Sequence, residues 1–200
     1  MIAIIDYGAG NLFSVKNAMD YLKIDSVITN DEEIIRNSDG MILPGVGAFP
    51  FAMDMLKKSG LDKTIKEEAV KKPLLGICLG MQMLFDKSFE FCECEGLGLI
   101  SGCVDKIATK ELKIPHMGWN SLKILNDCPL LKGVKEGSYV YFVHSFQAYT
   151  EDKNIGAYCE YDGNVTALVF SGNVYGAQFH PEKSSNVGLL MLKNFGELCK

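Results

Sequence analysis

One cysteine of this sequence lies in a setting that favours nucleophilic chemistry. An apolar, strand-like run leads into Gly76-Ile-Cys78-Leu-Gly80, and an apolar, helix-like run follows directly. Glycines two positions before and two after a nucleophile are typical of the nucleophile elbow, a sharp turn from strand to helix. Such a turn strains the central residue and brings the flanking positions together, so both must be small. The pattern predicts that Cys78 is a nucleophile, with a thiolate favoured by the start of the helix.

A cysteine nucleophile needs a base, and the base needs a group that orients it. The sequence contains three histidines, which are His116, His144 and His180. His180 follows a predicted strand, at the sheet edge where doubly wound folds gather their sites, and Glu182 can accept a hydrogen bond from its imidazole. We therefore predict that Cys78, His180 and Glu182 are catalytic. His116 and His144 are interpreted as structural or substrate-lining residues.

Attack on a carbonyl also requires donors for the developing oxyanion. The N–H of Leu79, directly after the nucleophile, is the first predicted donor. The glycine-rich loop 44–49 follows a neighbouring predicted strand and could supply the second. Because glycine permits backbone conformations that other residues avoid, the peptide between Val46 and Gly47 could turn over. We expect its carbonyl to face Cys78 in the idle protein and its N–H to do so in the active one.

The elements that must position these residues alternate between strands and helices in the first half of the chain. Short apolar runs predict strands, and apolar residues three and four positions apart predict helices. The first half has predicted strands at 1–5, 26–29, 40–43 and 74–77 and predicted helices at 12–22, 51–70 and 79–85. The second half has strand-like segments at 97–101, 121–125, 139–149, 155–161, 165–170 and 173–179, and a helix at 185–199.

This order predicts an α/β fold in a single domain over residues 1–200. Strands that alternate with helices form parallel sheets covered on both faces, whereas strands joined by short turns form hairpins. We therefore expect three layers, with a mixed and mostly parallel sheet, helices on both faces, and antiparallel hairpins in the C-terminal half.

The composition argues against some kinds of partner and some cellular locations. The 200 residues are 48% hydrophobic and carry a formal net charge of −5 without a long basic run, which argues against nucleic acid as a partner. No apolar run approaches the length of a membrane span, and the opening residues do not form a secretory signal. Seven irregularly spaced cysteines do not form a disulfide framework. We expect a cytoplasmic protein with reduced thiols and no membrane association.

Two weaker signals favour neither a metal nor a cofactor. Cys92, Cys94 and Cys103 lack the second matching pair of a zinc site, so lone thiols are the favoured interpretation. The stretch Gly8-Ala-Gly10-Asn11 lacks the third glycine and the later acidic residue of a dinucleotide site. A tight turn with Asn11 near a helix cap is favoured instead. We expect no cofactor and no metal.

Several stretches of the chain resemble one known family. Gly76-Ile-Cys-Leu-Gly-Met-Gln82 together with His180-Pro-Glu182 resembles the class I glutamine amidotransferases. Further stretches resemble one subfamily, the glutaminase subunits of imidazole glycerol phosphate synthase in histidine biosynthesis. These stretches are Leu43-Pro-Gly-Val-Gly-Ala-Phe49, Glu95-Gly-Leu-Gly-Leu-Ile100, Pro115-His-Met-Gly-Trp-Asn120, Tyr141-Phe-Val-His-Ser-Phe146 and Pro181-Glu-Lys-Ser184. The resemblance extends over essentially the whole chain.

The resemblance implies a reaction and a set of substrate contacts. L-Glutamine would be hydrolysed to glutamate and ammonia through a cysteinyl thioester, with Cys78, His180 and Glu182 as the triad. The residues implied to hold the amino-acid end of glutamine, by side chain or backbone, are Gly47, Gln82, His144, Ser145 and Phe146.

The resemblance also implies a partner. The ammonia would pass to a (β/α)8 synthase (cyclase) subunit in a heterodimer. That subunit would use it to form imidazole glycerol phosphate and AICAR from a phosphoribulosyl carboxamide nucleotide. The residues implied to face the synthase are Asn11, Trp119 and Lys183.

Three alternatives to this function remain. A paralogous glutaminase could deliver ammonia to a different acceptor, in the amidation of surface sugars. A stand-alone cysteine hydrolase could use a similar elbow, although Gln82 and the His180-Pro-Glu182 stretch favour the amidotransferase. A binding subunit of flavodoxin-like fold would perform no chemistry, and the intact set of Cys78, His180 and Glu182 counts against it.

Overall fold

The computed structural model describes residues 1–200. The strands are β1 (Ile2–Ile5), β2 (Ser26–Thr29), β3 (Gly40–Gly45), β4 (Leu74–Cys78), β5 (Phe85–Ser88), β6 (Cys94–Glu95), β7 (Ile100–Lys106), β8 (His116–Ser121), β9 (Lys123–Ile124), β10 (Tyr139–His144), β11 (Phe146–Tyr149), β12 (Ile155–Glu160), β13 (Asn164–Ser171) and β14 (Val174–Ala177). The α-helices are α1 (Leu12–Tyr21), α2 (Glu32–Arg36), α3 (Phe49–Ser59), α4 (Leu61–Ala69), α5 (Leu79–Gln82) and α6 (Ser185–Leu198). Short 3-10 turns occupy Pro129–Leu131, Asp152–Asn154 and Pro181–Lys183.

The centre of the fold is an eight-stranded sheet in the order β2-β1-β3-β4-β14-β13-β12-β9. The first five strands are parallel, and the last three extend the sheet in antiparallel fashion. β1 and β4 are buried along their whole length, as apolar strands covered on both faces must be. The predicted fold class, an α/β domain with a mixed and mostly parallel sheet, is confirmed.

Helices cover both faces of this sheet and create two hydrophobic cores. Successive residues of β1 point to opposite faces, so that Ile4 belongs to one core and Ile5 to the other. Met19 of α1 and Phe195 of α6 pack into the first core, whereas Leu56 of α3 packs into the second. The three layers follow directly from the alternation of apolar strands and amphipathic helices. No helix is both long and apolar enough to cross a membrane.

Two of the predicted helices have different bounds in the structure. The helix expected over 51–70 is divided into α3 and α4 by Gly60, which has a left-handed φ of 79°. The helix expected over 79–85 ends at Gln82, because Phe85 begins β5 and pairs with Ile100 in β7. Tertiary pairing therefore overrides the helical pattern of this apolar segment. Helix α2 was not predicted.

The second half of the chain forms more than hairpins on the main sheet. β10 pairs with β8 in a separate two-stranded sheet, and β11, β7, β5 and β6 form a four-stranded one. The strand expected over 139–149 is divided at Ser145, so that its two parts belong to different sheets. This division places the segment 144–146 beside the end of β4, where the predicted nucleophile lies.

Candidate active site

Cys78 occupies a sharp turn between β4 and α5. Its φ of 55° and ψ of −112° lie in a region that residues with a side chain rarely adopt. A β-carbon on Gly80 would lie 1.8 Å from the Leu43 carbonyl oxygen, and one on Gly76 would lie 2.6 Å from the Gly80 oxygen. Both positions therefore accept only glycine without movement of the backbone, as the elbow pattern predicts.

The helix behind the nucleophile differs from the prediction. α5 contains four residues, and its N-terminal residue Leu79 follows Cys78 directly. One helical turn aligns few peptide dipoles, so the predicted stabilisation of the thiolate by this helix is small.

His180 and Glu182 form a buried pair next to the elbow. The Nδ1 atom of His180 lies 2.8 Å from Oε1 of Glu182, and the two side chains are 4% and 1% exposed. The backbone N–H of His180 donates to the Tyr141 carbonyl over 3.0 Å, which ties the histidine to β10. Oε2 of Glu182 is buried without a hydrogen-bond partner. The protonated imidazole therefore compensates the buried carboxylate.

The surroundings of His180 favour its protonated form. Burial acts to lower the pKa of His180, but the Cys78 thiol and the Glu182 carboxylate outweigh burial and raise the pKa to about 9. An imidazolium beside Cys78 stabilises the thiolate, which is the nucleophilic form of cysteine. The imidazole thus lies between the Cys78 thiol and the Glu182 carboxylate, and Glu182 fixes the orientation of the ring.

The raised pKa of His180 predicts a pH dependence of stability. The folded protein holds the imidazole proton up to about pH 9, whereas the unfolded chain releases it near 6.5. The stabilisation is complete below the unfolded pKa and is lost as the pH rises through the folded pKa. The free energy of unfolding, measured in urea across that interval, should therefore fall with rising pH. His180→Phe should flatten this fall, and an unchanged slope in the variant would contradict the assignment.

A cleft of about 360 Å³ lies directly over Cys78. The predicted catalytic, oxyanion and substrate residues that line it are Val46, Gly47, Cys78, Leu79, Gln82, His144, Ser145, Phe146 and His180. Glu182 stands behind His180 and does not line the cleft. The structure thus brings together predicted residues from four separate parts of the chain, which are 46–47, 78–82, 144–146 and 180.

Gln82 is held in place by two hydrogen bonds. Its Nε2 donates to the Phe146 carbonyl and to Oε1 of Gln178, each over 3.0 Å. Gln178 is fully buried, and its own Nε2 lies 3.9 Å from the Sγ of Cys78. Gln178 was not predicted from the sequence, although its position two residues before His180 was a usable signal. These contacts connect the floor of the cleft to the nucleophile.

Glu90 is a second residue that the sequence analysis missed. It contributes the one carboxylate among the residues that line the cleft. Its Oε2 accepts a hydrogen bond of 2.8 Å from the backbone N–H of Phe49, and the residue is buried. A buried carboxylate at the wall of a cleft suits a cationic group of a ligand. No local pattern around Glu90 indicated this role.

The loop that carries Val46 and Gly47 is fixed at both ends and exposed in its middle, since buried Phe49 donates to Glu90 at its far end. Gly45 pairs with Cys78 across β3 and β4, and a β-carbon there would lie 2.6 Å from the Gly80 nitrogen. Val46 is 45% exposed, and Gly47 has a φ of 97° with open space around its α-carbon. The loop thus combines a rigid anchor with a residue whose backbone conformation only glycine adopts readily.

The residues implied to face a partner do not line the cleft. Trp119 on β8 is half-exposed and contacts Tyr141 edge-on, with 6.0 Å between the ring centroids. Asn11 precedes α1 without a side-chain cap hydrogen bond, and Lys183 lies in the turn that follows His180. His116 is fully buried and does not line the cleft.

The cysteines that suggested a metal do not form a ligand set. Cys92, Cys94 and Cys103 are free thiols on or beside β6 and β7. The structure contains no group of three or more His, Cys, Asp or Glu side chains arranged to hold a metal ion.

The fold and site can be compared with known proteins. The family model "Glutamine amidotransferase class-I" matches residues 3–198. A solved structure described as a glutamine amidotransferase superposes with a TM-score of 0.78 at 18% identity, over 99% of this chain and 98% of that one. The structure of PurLQS from Thermotoga maritima superposes with a TM-score of 0.73 at 20% identity, over 100% and 98% of the two chains. The solved structures share the fold, and the family model covers nearly the whole chain, so the chain belongs to the class I glutamine amidotransferases, which are enzymes.

Sequence relatives narrow the class further. The HisH subunits of imidazole glycerol phosphate synthase from Bacillus anthracis (strain A0248) and Bacillus cereus (strain AH187) are each 51% identical over 196 residues. The match covers 98% of this chain and 93% of each relative. The chain belongs to the HisH family of class I glutamine amidotransferases.

Proposed function

We propose that this protein hydrolyses L-glutamine to glutamate and ammonia as the glutaminase subunit of an imidazole glycerol phosphate synthase. The observation that carries the proposal is the convergence of Cys78, His180 and Glu182 at a cleft that also contains Gln82 and Glu90. The 51% identity to HisH subunits supports the choice of subfamily. The proposed role places the protein in histidine biosynthesis.

In the first half of the proposed reaction, the Cys78 thiolate attacks the side-chain carbonyl carbon of glutamine. The carbonyl oxygen becomes an oxyanion, which the N–H of Leu79 and that of the peptide between Val46 and Gly47 stabilise. His180 then gives its proton to the departing nitrogen, and the C–N bond breaks to release ammonia. A γ-glutamyl thioester on Cys78 and a neutral imidazole remain.

In the second half, His180 acts as a general base. Its imidazole removes a proton from a water molecule, which attacks the thioester carbonyl. The C–S bond breaks, glutamate leaves, and the thiolate and imidazolium are restored. Glu182 holds the ring through its 2.8 Å contact with Nδ1, so the same Nε2 atom serves both steps.

The amino-acid end of glutamine carries a cation and an anion, and the cleft has suitable groups for both. We assign the α-ammonium group to Glu90, because this carboxylate lines the cleft. The backbone N–H groups of Gly47 and of Ser145 and Phe146 would donate to the α-carboxylate. Gln82 would hold the segment 144–146 in place through its hydrogen bond to the Phe146 carbonyl.

The proposed partner is a (β/α)8 synthase subunit that receives the ammonia in a heterodimer. Asn11, Trp119 and Lys183 would contact it. Trp119 lies on β8, which follows the cleft residue Pro115, and Lys183 lies in the turn after the cleft residue His180. The synthase would use the ammonia to form imidazole glycerol phosphate and AICAR. Exposed Met117 on the same strand as Trp119 adds apolar area to this surface.

A direct assay tests the function and the acceptor together. Glutamate formation from glutamine is measured for this protein alone, with the synthase subunit, and with the synthase and its nucleotide ligand. We expect low activity alone and strong stimulation in the full complex. A broad panel of ester and peptide substrates serves as the control for a stand-alone hydrolase. Stimulation by a sugar-amidating partner instead would support the alternative acceptor.

Gly47→Ala tests the proposed movement of the oxyanion loop. An alanine β-carbon meets no atom within 4 Å there, so the fold should persist, but a φ of 97° disfavours alanine. Loss of one oxyanion donor costs about 10²–10³-fold in rate. The rate of glutamate formation in the presence of the synthase and its ligand should therefore fall by up to that factor. Affinity for the synthase, measured by titration calorimetry, should stay unchanged. Full stimulation in the variant would refute the movement.

A further inference from the structure

Two histidines outside the triad form a buried hydrogen-bonded pair. His116 on β8 and His144 on β10 are cross-strand partners, and Nδ1 of His116 lies 2.9 Å from Nε2 of His144. His116 is fully buried and is sandwiched between the rings of Phe142 and Tyr161, at centroid distances of 4.8 and 4.0 Å. The proposed mechanism uses neither imidazole.

The pair is part of a longer chain of contacts. Nδ1 of His144 lies 2.7 Å from the Phe146 carbonyl oxygen, which also accepts from Nε2 of Gln82 over 3.0 Å. At the other end, Nε2 of His116 lies 2.8 Å from Oδ1 of the Asn120 side-chain amide. This series of hydrogen bonds therefore runs from β8, the strand that carries Trp119, to the wall of the cleft.

The chemistry of these groups fixes which atom donates and which accepts in each of these hydrogen bonds. A carbonyl oxygen only accepts, so Nδ1 of His144 must carry a hydrogen and donate to Phe146. Burial lowers the pKa of His144 to about 3, so the ring is neutral and its Nε2 must accept. Nδ1 of His116 must then donate to it. Burial lowers the pKa of His116 as well, which favours a neutral ring without a hydrogen on Nε2. The Asn120 amide must then turn its NH2 group toward that nitrogen, because its oxygen, which faces Nε2 as placed, could only accept from a doubly protonated ring.

We propose that His116 and His144 are positioning residues, which hold the Phe146 carbonyl and with it Gln82 in the geometry that binds glutamine. The inference rests on the proposed function. The carbonyl has two donors, His144 and Gln82, and loss of one leaves this carbonyl oriented by the other alone. Neither histidine moves a proton during the reaction. Their loss should therefore weaken substrate binding and spare the chemical steps.

Steady-state kinetics of the complex with the synthase test this role. His116→Phe keeps a ring between Phe142 and Tyr161 but removes the donor to His144. We expect KM for glutamine to rise about 2- to 10-fold, the range for one neutral hydrogen bond, with kcat and its pH profile unchanged. Tyr161→Phe is the matched control, because it keeps the stacked ring and removes only the hydrogen bond from its hydroxyl to the Lys113 carbonyl. Its KM should equal that of the wild type.

A pair of variants at His144 provides a rescue. His144→Phe removes the donor to Phe146, and KM should rise at least as much as in His116→Phe. His144→Asn places an amide N–H near the position of Nδ1, and KM should return toward the wild-type value. Equal KM values in the two variants would overturn the proposal, because packing alone would then explain the effect.

A measurement on the wild-type protein needs no variant to fold. The ¹⁵N shifts of ring-labelled histidines report which nitrogen carries hydrogen, and the chain has three histidines to assign. We expect a hydrogen on Nδ1 of both His116 and His144. A hydrogen on Nε2 of His144 would contradict the proposed hydrogen bond from His116 and overturn the positioning role. An inactive wild-type complex would overturn the proposed function. If the wild-type complex is active and KM is unchanged in His116→Phe and His144→Phe, the positioning role is wrong and the proposed function stands.

Discussion

Cys78→Ala is expected to abolish glutamine-dependent turnover in the complex with the synthase. The alanine cannot form the thioester, and loss of a covalent nucleophile costs on the order of 10⁶-fold in kcat. Synthesis from added ammonium should continue at the wild-type rate, because free ammonia enters after the step that Cys78 performs. The two rates are measured on the same preparation, so ammonia-dependent synthesis is the internal control for folding and assembly.

Labelling provides an independent check on the nucleophile. An electrophilic glutamine analogue should modify Cys78 ahead of the other six cysteines, since Cys78 alone combines a position in the cleft with a histidine partner. Peptide mapping after limited reaction identifies the site. Preferential modification of exposed Cys92, or substantial glutaminase activity in Cys78→Ala, would contradict the assignment.

His180→Ala should produce the second largest loss. General acid–base catalysis contributes about 10²–10⁴-fold, and His180 serves in both halves of the proposed reaction. Glu182→Gln keeps a hydrogen-bond acceptor for Nδ1 but removes the charge that favours the imidazolium. It should therefore be impaired less than His180→Ala. Both variants are assayed for glutamate release in the complex, with ammonia-dependent synthesis again as the control.

His144→Ala separates the base from the positioning histidine. The ring of His144 lines the cleft, but its Nδ1 is engaged with the Phe146 carbonyl and burial keeps the imidazole neutral. We expect KM to rise while kcat is retained. A loss of kcat as large as that of His180→Ala, with glutamine binding unaffected, would require a different base.

The sequence indicated the candidate catalytic residues because the features that mark them are local. The elbow depends on backbone sterics within five residues, so Gly76, Cys78 and Gly80 were recognisable without any knowledge of the fold. His180 and Glu182 lie two positions apart, and a tight turn alone brings the carboxylate to the ring. The buried strands β1 and β4 were equally evident, since each is a short apolar run between turn residues.

Some errors concern signals that were present in the sequence. Gly60 divides α3 from α4 because its left-handed conformation ends one helix and begins the next. The apolar spacing on both sides of Gly60 concealed this break. Helix α2 begins at a capping Asp31, whose carboxylate accepts from the N–H groups of Glu33 and Ile34. Both features could have been read from local chemistry.

Other features were decided by the tertiary structure alone. Residues 83–85 leave the helical pattern because their carbonyls accept hydrogen bonds from the segment 97–99, which the local sequence does not specify. Glu90 acquires a role only when the Phe49 N–H, 41 positions away, meets its carboxylate. His116 and His144 become partners only through the register of β8 and β10. Local patterns fix backbone geometry and nearest neighbours, whereas contacts between distant segments depend on how the sheets pack, and the substrate cleft is built from such contacts.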